Sequence, residues 1–433
     1  MASAHSSMRR RLLVVATVGA VVMPALSAPA STAAARICPQ ETAPPPKLAW
    51  QPTESEWAAA NARAAEMTID ELAGASLVVR YRGRDGKRSN SQSAHNLRVL
   101  GKRQPSRALP ALGASGVILF PDNASTARQA YYEAKALNKV MPYSFFTAVD
   151  QEGGTVKRLR GDIEPPVAAK KIGKIASVSI AKENGFQSGR QLRAAHISMV
   201  FAPVADVRSA KTPKSLCPRT LSYNSKLVAQ LVVAQASGYN EQGVLAVIKH
   251  FPGIGSVPAD THKAAAKYAY SLEHLCAYDL APFRASISAG VVGIMIGHGI
   301  YPDLSPNPAT GSRRIVTDLL RNEMGFEGIT MTDSMTMAAA AANLPADENL
   351  YIRALSAGVD LILMAGNPLS TKARIAAALE SGKLSVEERR ASVARVLAYR
   401  AAQARNAASL KQYKPGSAQL LQAAQWFAYE LKA

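Results

Sequence analysis

The sequence predicts an α/β fold, a (β/α)8 TIM barrel in a single domain, from three observations. Short apolar, β-branched runs alternate with amphipathic segments of helical period from residue 75 onward, and eight such runs can be counted. The runs are continuously apolar rather than alternating, the pattern of strands buried on both faces in a parallel sheet covered by helices. Polar residues also gather where the runs end, at Asp150, Asp206, Lys249 with His250, His298 and Asp333. A closed barrel brings those ends to one mouth. A doubly wound open sheet, the structural rival, spreads them along a line.

Taken in order, residues 1–35 read as a signal peptide. A basic start (Arg9 to Arg11) precedes a short apolar run and a string of small residues. The run is too short and too interrupted by proline for a stable membrane span. Residues 36–55 are proline-rich and read as an N-terminal arm. Residues 56–410 form the barrel, and 411–433 a C-terminal helical tail. The eight strands are expected in "ASLVVRY" (75–81), "SGVILF" (115–120), "SFFTAVD" (144–150), "SMVFAPVADV" (198–207), "GVLAVIKHF" (243–251), "VVGIMIGHG" (291–299), "GITMTDS" (328–334) and "DLILMAG" (360–366). Helices are expected between them, for example in "TARQAYYEAKALNKV" and "SRRIVTDLLRNEMG", several closed by glycine.

The chain has 433 residues, 48% of them hydrophobic, which is enough for a sizeable core and excludes a disordered class. Cys38, Cys217 and Cys276 allow one internal disulfide and one leftover thiol. The formal charge is +20, and removal of residues 1–35 with their three arginines leaves 20 − 3 = +17. The basic residues are dispersed and not interleaved with aromatics, which argues against nucleic acid. With export, an anionic cell wall is the expected counterpart, against surplus charge that serves solubility alone.

Each motif carries a structural and a chemical reading. Asp333, just past an apolar strand, could cap the next helix or act as the nucleophile of a retaining glycosidase. Asp150, in "AVDQEGGTVKRL", could belong to an acidic turn or accept hydrogen bonds from neighbouring sugar hydroxyls. His298, at the end of the sixth run, could be a satisfied structural histidine or a substrate contact, and Asp206 stands at the end of the fourth. In "KHFPGIGSVPADTH", Lys249 and His250 belong to the mouth, and the rest reads as a mobile loop. Asp260 and His262 are two residues apart, close enough for the carboxylate to orient an imidazole that can give and take a proton near neutral pH. A metal site built from His250, Asp260 and His262 is the chemical rival, and its ligand geometry is poor.

These motifs resemble glycoside hydrolase family 3 in its single-barrel β-N-acetylhexosaminidase branch. The similar stretches are "DQEGGTVKRL", "FAPVADV", "KHFPGIG" with "DTH", "GHGIYP", "GFEGITMTDSMTM" and "ALSAGVDLILMAG", in the family's order over residues 60–400. The resemblance implies Asp333 as nucleophile and His262, paired with Asp260, as acid/base. It also implies Asp150, Arg219 (in "CPRTLSYN"), Lys249 and His250 as sugar-binding residues, to which His298 and Asp206 are added as strand-end groups. Two departures stand out: Ile254 replaces the histidine of the usual FPGHG, and "CPRTLS" replaces a GRSFG-like string. The expectation is an exported enzyme acting on β-N-acetylglucosaminides without metal or organic cofactor. A single-domain β-glucosidase or other β-glycosidase, or an inactive sugar-binding relative, are the alternatives.

Overall fold

A computed structural model describes residues 37–38, 46–141 and 145–431. The expected signal peptide lies outside the described residues, as do residues 36 and 39–45 of the expected arm. Eight strands form one sheet: β1 (Leu77–Val79), β2 (Gly116–Leu119), β3 (Phe146–Val149), β4 (Met199–Val200), β5 (Leu245–Phe251), β6 (Gly293–Ile296), β7 (Ile329–Thr332) and β8 (Ile362–Leu363). Each pairs in parallel with its neighbour in sequence, as in Ile118 with Ala148 and Thr330 with Ile294. Leu77 pairs with Ile362, and a parallel bridge joins Met331 to Leu361, so β8 meets both β1 and β7. The result is the (β/α)8 barrel, and all eight apolar runs contribute a strand.

The continuous apolar pattern has a direct cause. Val78, Ile118, Phe146, Met199, Val247, Met295 and Met331 fill the barrel interior. Their neighbours Leu77, Val79, Val117, Leu119, Ile248 and Ile294 face the surrounding helices. Both faces of every strand are dry, so neither can be polar. The fourth strand is much shorter than the apolar run 198–207 suggests. Pro203 has no amide to donate, and the chain leaves the ladder after Val200, returning only in a bridge between Val204 and Lys249.

The helices start and stop where local chemistry directs. The helix Glu54–Glu66 begins on a capping box between Thr53 and Glu56, and Ala127–Val140 on the Thr126 hydroxyl. Glu54–Glu66 therefore starts inside the segment expected to be an arm. That segment is also tied down: the Ile37 and Cys38 amides donate to the Glu323 carboxylate, and Cys38 is disulfide-bonded to Cys276. Trp50 enters the barrel-interior cluster with Val396 and Tyr399, and its indole donates to the Gly290 carbonyl at 3.2 Å. These residues close the end of the barrel where the strands begin, leaving the other end for chemistry. A helix over Ala418–Glu430 occupies the expected tail. Among the described residues, no helix is long and apolar enough to cross a membrane.

Candidate active site

Above the strand ends lies a cavity of about 450 Å³ whose lining includes Asp150, Glu152, Arg219, Lys249, His250 and Asp333. Lys249 and His250 are consecutive residues of one strand, which ordinarily point to opposite faces. Here the register of β5 against β6 shifts between Lys249 and Phe251, and both side chains reach the cavity. The peptide joining them is cis.

One half of the floor is an ion-pair network. The Lys249 ammonium lies 2.9 Å from Asp150 and 2.6 Å from Glu152. Arg219 donates through Nε and Nη2 to both oxygens of Glu152, each at 2.9 Å. Burial alone would push the Glu152 carboxyl up, but the Lys249 and Arg219 charges outweigh it and bring it down to about 2. Burial likewise opposes the charge on Lys249, and its two carboxylates more than compensate, so its ammonium titrates above the ordinary range. Arg219 sits on a tight turn, Cys217–Arg219, held by Arg208, which donates to the Cys217 and Thr220 carbonyls at 2.6 and 2.9 Å. Sequence reasoning missed Arg158, which lines the cavity 3.7 Å from Asp150, and gave Glu152 a place in a turn and the role of substitute acid/base should His262 fail. Both lie in the quoted "DQEGGTVKRL". The signal available was that the basic residues of the mouth call for acidic partners.

The other half holds Asp333. The Ser334 amide donates to its Oδ1 at 2.7 Å, and His250 Nε2 lies 3.9 Å from its Oδ2. Burial raises the Asp333 carboxyl, and the imidazoles of His250 and His298, the Ser334 amide and Lys249 together hold it below the ordinary carboxylate range. His250 is fixed from behind: its Nδ1 donates to Asp206 Oδ2 at 2.7 Å, which leaves Nε2 facing Asp333. The other Asp206 oxygen accepts the backbone amides of His250 at 3.2 Å and Ile254 at 2.8 Å. The departure at Ile254 therefore leaves this contact intact, because the backbone makes it.

Asp206 and His298 do not take the place expected of them. Both are fully buried and neither lines the cavity. The Asp206 carboxylate is used up in orienting His250. His298 donates from Nε2 to the Ser334 carbonyl at 3.1 Å and accepts from the Thr310 hydroxyl at 2.9 Å, which braces the turn that carries Asp333. They act through their neighbours rather than on a ligand.

His262 lines the cavity from its lip. Asp260 Oδ1 accepts from its backbone amide at 3.0 Å and from Nδ1 at 2.8 Å. The Ser215 hydroxyl, from the segment after β4, donates to the other Asp260 oxygen at 3.0 Å. Burial raises the Asp260 carboxyl slightly, and these donors more than offset it. The loop's sharp path depends on Gly255, where a Cβ would sit 1.8 Å from the Val207 carbonyl oxygen. His250 and His262 thus serve different aspartates. Among the described residues no three His, Cys, Asp or Glu side chains are gathered to hold a metal ion.

Residues 98–399 match the model of the glycosyl hydrolase family 3 N-terminal domain, well over half of the chain. The chain belongs to glycosyl hydrolase family 3. It is 33% identical over 258 residues to a beta-hexosaminidase of Stenotrophomonas maltophilia strain K279a, spanning 58% of this chain and 76% of that one. It is 34% identical over 259 residues to a beta-hexosaminidase of Nitrosomonas eutropha, spanning 58% and 74%. The family 3 β-N-acetylglucosaminidase structure from Paenibacillus sp. FPU-7 matches with a TM-score of 0.74 at 27% identity, over 84% of this chain and 68% of that one. M. tuberculosis LpqI matches with a TM-score of 0.67 at 28% identity, over 78% and 94%. The protein is a glycoside hydrolase of the β-hexosaminidase group, and the cavity described above lies at the mouth of its barrel.

Proposed function

We propose that the protein is an exported, retaining β-N-acetylhexosaminidase that releases terminal β-linked N-acetylglucosamine from peptidoglycan- or chitin-derived oligosaccharides. One observation carries the reading. Three carboxylates line the cavity, and Asp150 and Glu152 are both ion-paired to lysine or arginine, whereas Asp333 has no such pair among the described residues and is met by the Ser334 amide and, at 3.9 Å, by His250. Asp333 is ionised, partly exposed to the cavity and placed to attack the anomeric carbon and form a glycosyl-enzyme. Glu152, held near 2, has no proton to give at neutral pH. That leaves His262 to protonate the leaving oxygen and later to deprotonate water, with Asp260 fixing its tautomer so that Nε2 faces the substrate. Asp150, Lys249, Arg158, Arg219 and His250 then grip the sugar hydroxyls.

Export is supported by the leader-like residues 1–35 and by the disulfide between Cys38 and Cys276, a bond of oxidising compartments. A mature charge of 20 − 3 = +17 suits an anionic wall.

The test follows product stereochemistry by proton NMR on an aryl N-acetyl-β-glucosaminide beside the matching glucoside. The β-anomer should appear first and the N-acetyl substrate should be preferred. An α-anomer as first product overturns the retaining step, and preference for the glucoside overturns the substrate class. Retention on insoluble peptidoglycan that falls with rising salt checks the wall; retention unchanged by salt removes it.

A further inference from the structure

At the opposite end of the barrel lies a second cavity that glycoside chemistry does not use. Its volume is about 230 Å³, and it lies before β8 and beside the first turns of the helix Val386–Ser409. Four guanidinium groups line it, those of Arg313, Arg321, Arg389 and Arg395, with only two carboxylates, Asp360 and Glu388, so its formal charge is 4 − 2 = +2.

The carboxylates do not neutralise the interior. Asp360 is saturated: Arg321 lies 2.6 Å from its Oδ2 and Arg395 2.6 Å from its Oδ1, with the Thr330 amide and the Ser392 hydroxyl completing the shell. Glu388 is at the rim, where it meets Arg313 at 3.3 Å with both side chains more than half exposed. Such a pair is worth little. Arg389 is left over. It is 4% exposed, its Nη1 reaches the Val359 carbonyl at 3.2 Å, and its Nε has no hydrogen-bond partner among the described residues. Burial pushes the Arg389 guanidinium down to about 10 even with the Asp360 charge opposing it. A buried donor of this kind costs free energy unless an acceptor meets it.

The surroundings select the acceptor. The amino-terminal turn of a 24-residue helix, capped by Ser385, adds the positive end of a helix dipole. Guanidinium forks pair best with planar or tetrahedral oxyanions that accept two hydrogen bonds at once. We propose that this cavity binds a tetrahedral oxyanion, inorganic phosphate or sulfate or the phosphate end of a monoester, with Arg389 as its buried anchor and Arg313 as its rim contact. The site stands apart from the barrel mouth, so occupancy and catalysis are separable.

Calorimetric titration of the full chain with inorganic phosphate, at ionic strength held constant with chloride, tests it. The wild type should bind, Arg389→Gln should bind at least about tenfold more weakly, and Arg313→Gln a few-fold more weakly. Binding should be unchanged when the mouth is filled with N-acetylglucosamine. Absence of binding, wild-type affinity in Arg389→Gln, or competition by the sugar each overturns the site. If Arg389→Gln does not fold, wild-type affinity in the exposed Arg313→Gln overturns it alone. Glycerol phosphate as a second titrant assigns the source: tighter binding of inorganic phosphate identifies the free ion, and equal or tighter binding of the ester identifies the end of a larger molecule.

Discussion

His250 and His262 each turn Nδ1 toward an aspartate, at 2.7 Å from Asp206 and 2.8 Å from Asp260. The bond is the same, and the solvent around it is not. The His250 side chain is 4% exposed and Asp206 is fully buried, whereas His262 is 61% exposed and Asp260 25%. In the buried pair both Asp206 oxygens are satisfied by the protein, so Asp206 holds the imidazole in place and only His250 Nε2 is presented to the cavity. In the exposed pair the imidazole's outer nitrogen is open to solvent, as the proton transfer proposed for His262 requires. Burial rather than pairing is what distinguishes the two histidines.

The comparison presupposes a nucleophile between the two pairs, and removing it should produce the largest effect. Asp333→Asn should cost about four orders of magnitude or more in turnover on every substrate. A slow fluorinated substrate should label Asp333 in mass spectrometry; a label on Asp150 would remove the scheme.

Next in size is His262→Ala. It should lower hydrolysis of a disaccharide by about 10²–10⁴-fold and spare an activated aryl glycoside, whose leaving group needs little protonation. Equal losses on both substrates would make the exposed pair structural too.

Asp206→Ala should behave in the opposite sense. It strips the acceptor from three donors, His250 Nδ1 and the amides of His250 and Ile254. Tm should fall, and turnover should drop by about ten- to a hundredfold alike on both substrates, as a few kcal/mol of lost hydrogen bonding loosens the mouth. A loss confined to the disaccharide would give His250 a proton-transfer role.

Ser215→Ala is a finer probe, since it removes one hydroxyl from Asp260. A loss of about two- to tenfold in kcat on the disaccharide is expected, with little change on the aryl substrate and recovery in Ser215→Thr.

The smallest effect concerns pH. The Glu152 carboxyl is lowered from 4.5 to about 2, so its contribution to stability is complete above about pH 4.5 and is lost as the pH falls toward 2. Tm measured down that range should fall less steeply in Glu152→Gln than in the wild type. Parallel slopes would show that the ion pairs contribute no linkage.

The barrel was legible because its cause is written in every strand: two dry faces demand unbroken apolar runs, and strand ends are where polar residues begin. The mouth was legible for a similar reason, since Asp150, Lys249, His250 and Asp333 directly follow or end those runs. Sequence also placed Asp260 and His262 together, because two residues of separation leave little freedom. What it could not separate was a side chain that touches the cavity from one behind it. Asp206 and His298 end strands just as Asp150 does, and only the packing of neighbouring strands and loops turns them away. Arg158 was missed because its role depends on an ion pair across a bend, and Ser215 because it reaches Asp260 from 45 residues away.

The chain by itself determined the eight strands, their order and the placement of Asp333 at the barrel mouth, all consequences of local period and of residues adjacent in sequence. Tertiary structure alone decided that Cys38 pairs with Cys276 across 238 residues and leaves Cys217 free. It also decided that one Asp–His pair is dry and the other wet, and that four arginines from two distant segments line one cavity with Asp360. Each of these depends on burial or on distances across the fold, and a list of residues carries neither.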